Sequence, residues 1–129
     1  MHRFRYYRLG SEEKSRVIEK LRDTLVDKGV KLAILFGSFI EADSFRDIDI
    51  AVYLEDFENL DRILKLGVKL EEALNLPIDI VPLQALSPRF RLWVLTKGMV
   101  LVEEPGLYEA MLSQTIDELI LMNMDASKR

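Results

Sequence analysis

LAILFGS at residues 32–38, followed after a short connection by DIDIAV at residues 47–52, is the part of this chain that determines its fold. The first stretch is a continuous apolar run, typical of a strand covered on both faces, and it breaks at Gly37. In the second, strand alternation places Asp47 and Asp49 on one face while the apolar residues face a core. The two stretches therefore predict two strands with a polar site beside the glycine turn.

The glycine turn and the two acids have complementary chemistry. A glycine such as Gly37 at a strand end lets backbone N–H groups approach an anion closely, and a helix beginning at Ser38 would add the positive charge of its N-terminus. Asp47 and Asp49 would supply the cation that accompanies a bound triphosphate, since Mg²⁺ takes carboxylate and phosphate oxygens. The stretch predicts a nucleotide pocket.

Asp79 is a third acid, placed in the apolar stretch Ile78–Val81, which is predicted as a strand. A charge in a strand is costly unless it is paired, solvated or bound to a metal. If this strand lies beside the one that carries Asp49, the acids converge, and carboxylates about 4 Å apart repel by ~4 kcal/mol at an effective dielectric of 20. Such repulsion favours a divalent cation, and two ions in one site would support nucleotidyl transfer.

Each feature alone also fits an ordinary structural role. Asp47 and Asp49 are common turn residues, Gly37 and Ser38 fit a tight corner, and Asp79 fits a solvated strand edge. Their order along the chain is more specific than any one of them. It consists of a strand, Gly-Ser, a strand with two acids, a helix, and a strand with one acid.

Composition narrows the class of protein. The chain has 129 residues, 49% of them hydrophobic, which fits one domain over residues 1–129. A net charge of −4 argues against a general nucleic-acid-binding surface, and the absence of cysteine excludes thiolate metal sites and disulfides. The sequence contains no apolar run of transmembrane length and no signal peptide at its start, so a cytoplasmic protein is expected.

Helix and strand patterns alternate along the chain, which predicts one α/β unit. Strands are expected at about residues 32–36, 47–54, 78–81 and 99–102. Helices are expected at about residues 11–28, 60–74 and 88–97, with a last helix at about 106–124.

The sequence LFGSF at residues 35–39 together with DIDIAV resembles the signature of the minimal nucleotidyltransferases of the DNA polymerase beta superfamily. The resemblance covers about residues 13–103. It implies the nucleotidyltransferase fold, a small mixed β-sheet flanked by helices, with Gly37 and Ser38 on the nucleotide phosphates. It also implies that Asp47 and Asp49 are metal ligands and that Asp79 is the third catalytic acid, which helps to activate the attacking hydroxyl.

The same resemblance implies a substrate and a partner. Such domains are often the antitoxin of a HEPN-type ribonuclease toxin, and some transfer AMP from ATP to a toxin tyrosine. We therefore expect a Mg²⁺-dependent nucleotidyltransferase, with Mn²⁺ as a second candidate metal and ATP as substrate. One alternative is a catalytically weak module that neutralises its partner by contact, which the short loop at residues 39–46 favours. Another is nucleotide transfer to a small molecule.

Three other features have less specific interpretations. Arg3–Arg8 mixes cations with aromatics, and a packed terminal segment or partner contact is favoured over RNA binding. Around Trp93, the cations Arg89, Arg91 and Lys97 favour a solvated helix face with the tryptophan in the core over a triphosphate or partner contact. The last helix has a wide apolar stripe, which fits either its own subunit's core or a contact with a second copy or a toxin.

Overall fold

The computed structural model of the chain describes residues 5–127. The helices are α1 (Ser11–Asp27), α2 (Ser38–Glu41), α3 (Leu60–Leu74), α4 (Pro88–Lys97) and α5 (Leu107–Ser127), and a 3-10 turn spans Leu83–Ala85. The strands are β1 (Leu32–Phe36), β2 (Ile48–Val52), β3 (Ile78–Pro82) and β4 (Met99–Glu103). Within residues 5–127, no helix has both the length and the apolar character needed to cross a membrane.

The four strands form one mixed sheet in the order β3-β2-β1-β4. β1 is antiparallel to both of its neighbours, whereas β2 and β3 are parallel. A parallel pair needs a crossover connection, and α3 provides it. This arrangement confirms the predicted α/β fold with a small mixed sheet and flanking helices.

Every residue of β1 is buried, as the unbroken apolar run predicted. One face of the sheet packs on α1 and α3 through a cluster that includes Leu21 and Leu70. The other face packs on α4 and α5 through a cluster that includes Val94 and Met111. The central strand is therefore covered on both sides, which fixes the position of the turn at its end.

The last helix, α5, is divided between two environments. In its first half Met111 is buried, and the Tyr108 hydroxyl donates a hydrogen bond to the Leu95 carbonyl at 2.6 Å. In its second half Ile120 is 52% exposed and Leu121 is 60% exposed. The core interpretation thus holds for the first half, and an apolar surface remains on the second.

The prediction for the face around Trp93 was wrong for Arg91 and Trp93, whereas Arg89 and Lys97 are exposed as predicted. Arg91 is buried, and its guanidinium donates to the Thr115 hydroxyl at 2.7 Å and pairs with Glu118 at 2.5 Å. Trp93 is 37% exposed instead of lying in the core. The reason is helical geometry: Arg91 shares its face of α4 with the buried Val94, and α5 lies against that face.

Candidate active site

Two of the three predicted acids are direct neighbours on the sheet. Asp49 of β2 is in register with Asp79 of β3, and the two strands are parallel. Side chains at the same register position of paired strands project from the same face. The long-range pairing that the sequence hypothesis required is therefore present, and the two carboxylates lie side by side.

Asp47, the remaining acid, also affects the ionisation of Asp49. The pKa of Asp49 is raised from 3.8 to about 6, first by burial and then by the negative charges of Asp79 and Asp47. Asp49 is half-buried, whereas Asp47 and Asp79 are exposed. The structure thus brings the three carboxylates into one electrostatic cluster with Asp49 at its centre.

The three carboxylates do not form a preformed metal site. Among the residues that the structure describes, no group of three or more acidic or histidine side chains is already placed to hold an ion. Like charges this close together repel one another when no cation lies between them. Oxygen ligands alone, with repulsion that a cation would relieve, fit a hard divalent ion such as Mg²⁺ or Mn²⁺.

Gly37, at the start of the turn, lies close to the carboxylate of Asp49. It has φ +84° and ψ −157°, a backbone conformation that is essentially restricted to glycine. A Cβ at this position would lie 2.5 Å from Asp49 Oδ2. Only glycine lets the turn approach the carboxylate this closely, so the predicted phosphate-binding backbone and the predicted metal ligand are adjacent.

The helix that begins at Ser38 is short, which corrects one expectation. α2 has 4 residues, so its dipole adds little to anion binding. Its position is fixed from α1, because the Lys14 ammonium donates to the carbonyls of Phe39 at 2.6 Å and Ala42 at 3.2 Å. Lys14 was not singled out in the sequence, since a lysine in an amphipathic helix carries no local sign of this contact.

An open cavity of about 280 Å³ lies over part of the cluster. Ser38, Asp47 and Asp49 line it, and Asp79 is not among the described lining residues. The other lining residues are Tyr6, Ser44, Phe45 and Arg46. The cavity is therefore bounded by the Gly-Ser turn on one side and by the connecting loop on the other.

The segment before α1 closes one wall of this cavity. Tyr7 forms an isolated β-bridge with Phe45, with backbone N–H···O distances of 2.8 and 3.1 Å, and their rings stack at 5.7 Å. Tyr6, next to the bridge, lines the cavity. Of the described residues 5–8, only Tyr7 fits the packed-segment interpretation, since Arg5, Tyr6 and Arg8 are exposed. Arg3 and Phe4 lie outside the described range. No local pattern in the sequence indicates that Tyr6 borders the site.

A mixed four-stranded sheet with neighbouring acids beside a Gly-Ser turn defines the nucleotidyltransferase class. Residues 19–105 match the family profile described as polymerase beta, nucleotidyltransferase. The chain belongs to this family, which confirms the resemblance found in the sequence. None of the curated proteins gives a significant match.

Several solved structures are similar over most of their length. A crystal structure of a toxin-antitoxin with AMP-PNP matches with a TM-score of 0.71 and 28% identity, covering 86% of this chain and 93% of that one. The toxin-antitoxin MntA-HepT matches with a TM-score of 0.64 and 26% identity, covering 92% and 94%. A structure of the tri-AMPylated Shewanella oneidensis HEPN toxin with its MNT antitoxin matches with a TM-score of 0.63 and 27% identity, covering 91% and 92%.

Proposed function

We propose that this chain is a metal-dependent nucleotidyltransferase that moves AMP from ATP to a hydroxyl group of a HEPN-type toxin, for which it is the antitoxin. The observation that carries the proposal is the register of Asp49 with Asp79, next to the glycine turn at Gly37. The similar structures support the nucleotide and the partner, because one is a complex with AMP-PNP and another contains an AMPylated HEPN toxin.

Each predicted site residue has a role in this proposal. The backbone at Gly37 and Ser38 holds the nucleotide phosphates, and Asp47, Asp49 and Asp79 hold the cation. The bound cation would neutralise phosphate charge and lower the pKa of the acceptor hydroxyl. Asp49 is the central ligand because it is half-buried between the other two acids.

Asp79 is placed to receive the acceptor. It is exposed and lies on β3, the edge strand of the sheet, so an incoming hydroxyl reaches it from solvent. The hydroxyl oxygen forms a bond to the α-phosphorus of ATP while the bond from that phosphorus to the pyrophosphate oxygen breaks. The hydroxyl proton passes to Asp79, and pyrophosphate leaves.

The first test is transfer of label from α-labelled ATP to a HEPN-type toxin. We expect the unmodified chain with Mg²⁺ to label the toxin and Asp79→Asn to reduce the initial rate at least about a hundredfold, since general-base catalysis contributes that much. Asp61→Asn is the matched control, because Asp61 is an exposed acid on α3 that pairs with Lys65 in a surface ion pair.

The outcome for toxin neutralisation separates transfer from simple contact. If Asp79→Asn still binds and neutralises the toxin as well as the unmodified chain, covering the toxin is the mechanism. The binding-module alternative then replaces transfer. Labelling by the Asp79→Asn variant at the full rate would show that Asp79 is not the base.

The exposed half of α5 is the proposed contact with the partner. Ile116, Ile120 and Met124 follow helical spacing and are 42%, 52% and 52% exposed. We expect Ile120→Glu with Met124→Glu to weaken toxin binding at least about tenfold, because a charge there would be buried on association. Isothermal titration measures this effect.

The control for the double variant in α5 is a similarly exposed apolar residue on another helix. Leu64 on α3 is 60% exposed, and Leu64→Glu should leave toxin binding unchanged. Deletion of the whole helix is not suitable, because it would also remove the buried Met111 and Thr115 and so change the packing of the chain as well as the contact surface. Unchanged toxin affinity in the double variant would place the contact on another surface.

A further inference from the structure

Asp79 and Asp49 share a register position on neighbouring strands, and the next strand has an aromatic residue at that position. Asp79 is in register with Asp49, and Asp49 is in register with Phe36 on β1. The three side chains therefore project from one face of three adjacent strands. From the Phe36 ring, the next contacts are with α4, where the rings of Phe90 and Trp93 lie edge-on at 5.8 and 6.3 Å.

Phe90 and Trp93 form an exposed stacked pair, called here the aromatic ledge. Their ring centroids are 5.7 Å apart and their planes differ by 11°. Phe36 beneath them is only 8% exposed, yet Phe90 is 41% and Trp93 is 37% exposed. Single exposed apolar residues need no explanation, but two stacked rings that continue a row of site residues indicate a surface that binds something flat.

We propose that the aromatic ledge binds the base of the nucleotide whose phosphates lie at Gly37 and Ser38. This inference rests on the proposed function. Phe36 is the cross-strand neighbour of Asp49, about 5 Å away, and its ring contacts both rings of the ledge, so one residue separates the ledge from the Asp49 position. A nucleotide is long enough to span one such residue between its phosphates and its base.

The chemistry of the ledge sets the specificity. Ring faces recognise the area of a base and not its pattern of donors and acceptors. We therefore expect purine nucleotides to bind better than pyrimidine nucleotides, with ATP and GTP within a few-fold of each other. An apolar side chain of a partner protein is the other occupant that such a surface fits, and the experiments below separate the two.

The chain has 1 tryptophan, so Trp93 reports on the ledge directly. We expect ATP with Mg²⁺ to quench its fluorescence and GTP to do the same. Tripolyphosphate with Mg²⁺, which occupies the phosphate site but has no base, should bind without quenching. Equal effects of ATP and tripolyphosphate on the fluorescence would overturn the proposal.

Substitution gives a second, independent measurement. We expect Trp93→Ala and Phe90→Ala to weaken ATP binding about tenfold, while the affinity for tripolyphosphate stays unchanged and Trp93→Phe keeps most of the ATP affinity. Leu64→Ala, at an exposed apolar position on α3, is the control and should change neither affinity.

Two outcomes separate failure of this inference from failure of the proposed function. Full ATP affinity in both alanine variants would assign the ledge to a partner protein, while the phosphate site would remain valid. If the unmodified chain bound neither ATP nor tripolyphosphate in the presence of Mg²⁺, the nucleotidyltransferase proposal and the ledge proposal would both be wrong.

Discussion

Asp49→Asn is expected to lower the rate of AMP transfer at least about a thousandfold while making the domain more stable at neutral pH. The loss of rate follows if Asp49 is the central cation ligand, as proposed, since metal-ion stabilisation of a transition state is worth several kcal/mol. The gain in stability follows from removing a carboxylate that burial and two like charges oppose. A substitution that lowers the rate but raises the stability indicates a residue that serves function. A residue that serves packing would lower the stability when replaced.

The change in stability should depend on pH. In the folded chain the pKa of Asp49 is about 6 instead of 3.8, so between these values the folded state binds more protons than the unfolded state. The contribution of Asp49 therefore falls as the pH rises from about 4 to 6. Because the side chain is partly exposed to solvent, which screens these interactions, we expect Asp49→Asn to gain about 1–2 kcal/mol at pH 7 and nothing near pH 4.

Urea unfolding at pH 4 and pH 7 measures the stability change, and labelled ATP measures transfer. Asp61→Asn is again the control, because its exposed ion pair with Lys65 should change neither quantity by much. Mg²⁺ with ATP should raise the melting temperature of the unmodified chain but not of Asp49→Asn. A retained metal-dependent shift in the variant would place the cation elsewhere.

Arg91→Ala is expected to reduce the free energy of unfolding by about 3 kcal/mol, the largest stability loss that we predict. The Arg91 guanidinium is 3% exposed and joins α4 to α5 through Thr115 and Glu118. It also donates to the carbonyl of Leu86 at 3.2 Å. Truncation removes the Arg91 donor from these partly buried groups, and Glu118 keeps its hydrogen bond from Gln114. Losing the donor costs more than the ion pair itself is worth.

The neighbouring Arg89 provides the control for Arg91. It is exposed, and Arg89→Ala should change the free energy of unfolding by less than about 0.5 kcal/mol. Chemical denaturation of both variants gives the comparison, and in Arg91→Ala α5 should lose hydrogen-exchange protection before the β-sheet does. A loss similar to that of Arg89→Ala would mean that the buried pair adds little to the packing of α5.

The fold was predictable because its signals are local. The apolar run ending at Phe36, the alternation around Asp49, and the proline that begins α4 each specify an element within a few residues. The neighbouring position of Asp79 was a conditional prediction. It depended on the pairing of β3 with β2, which no local pattern encodes, and the structure supplies that pairing.

The features that were not predicted all depend on contacts between residues far apart in the sequence. Lys14 reaches the end of α2 across 25 residues of sequence, and Tyr7 pairs with Phe45. Arg91 was predicted to be solvated because arginine usually is, and only the position of Thr115 and Glu118 on α5 makes its burial favourable. Sequence periodicity locates helix faces but not the partner that covers each face.

The bridge between Tyr7 and Phe45 has a kinetic consequence. The loop before Asp47 is held at Phe45 by two backbone hydrogen bonds with Tyr7, one in each direction. The loss of conformational entropy on ordering this loop therefore occurs during folding and not when a ligand binds. Nucleotide entry should therefore proceed without an induced-fit closure of this wall. A site of that kind discriminates among nucleotides by their dissociation rates, since this wall offers no closing step at which a wrong nucleotide is rejected.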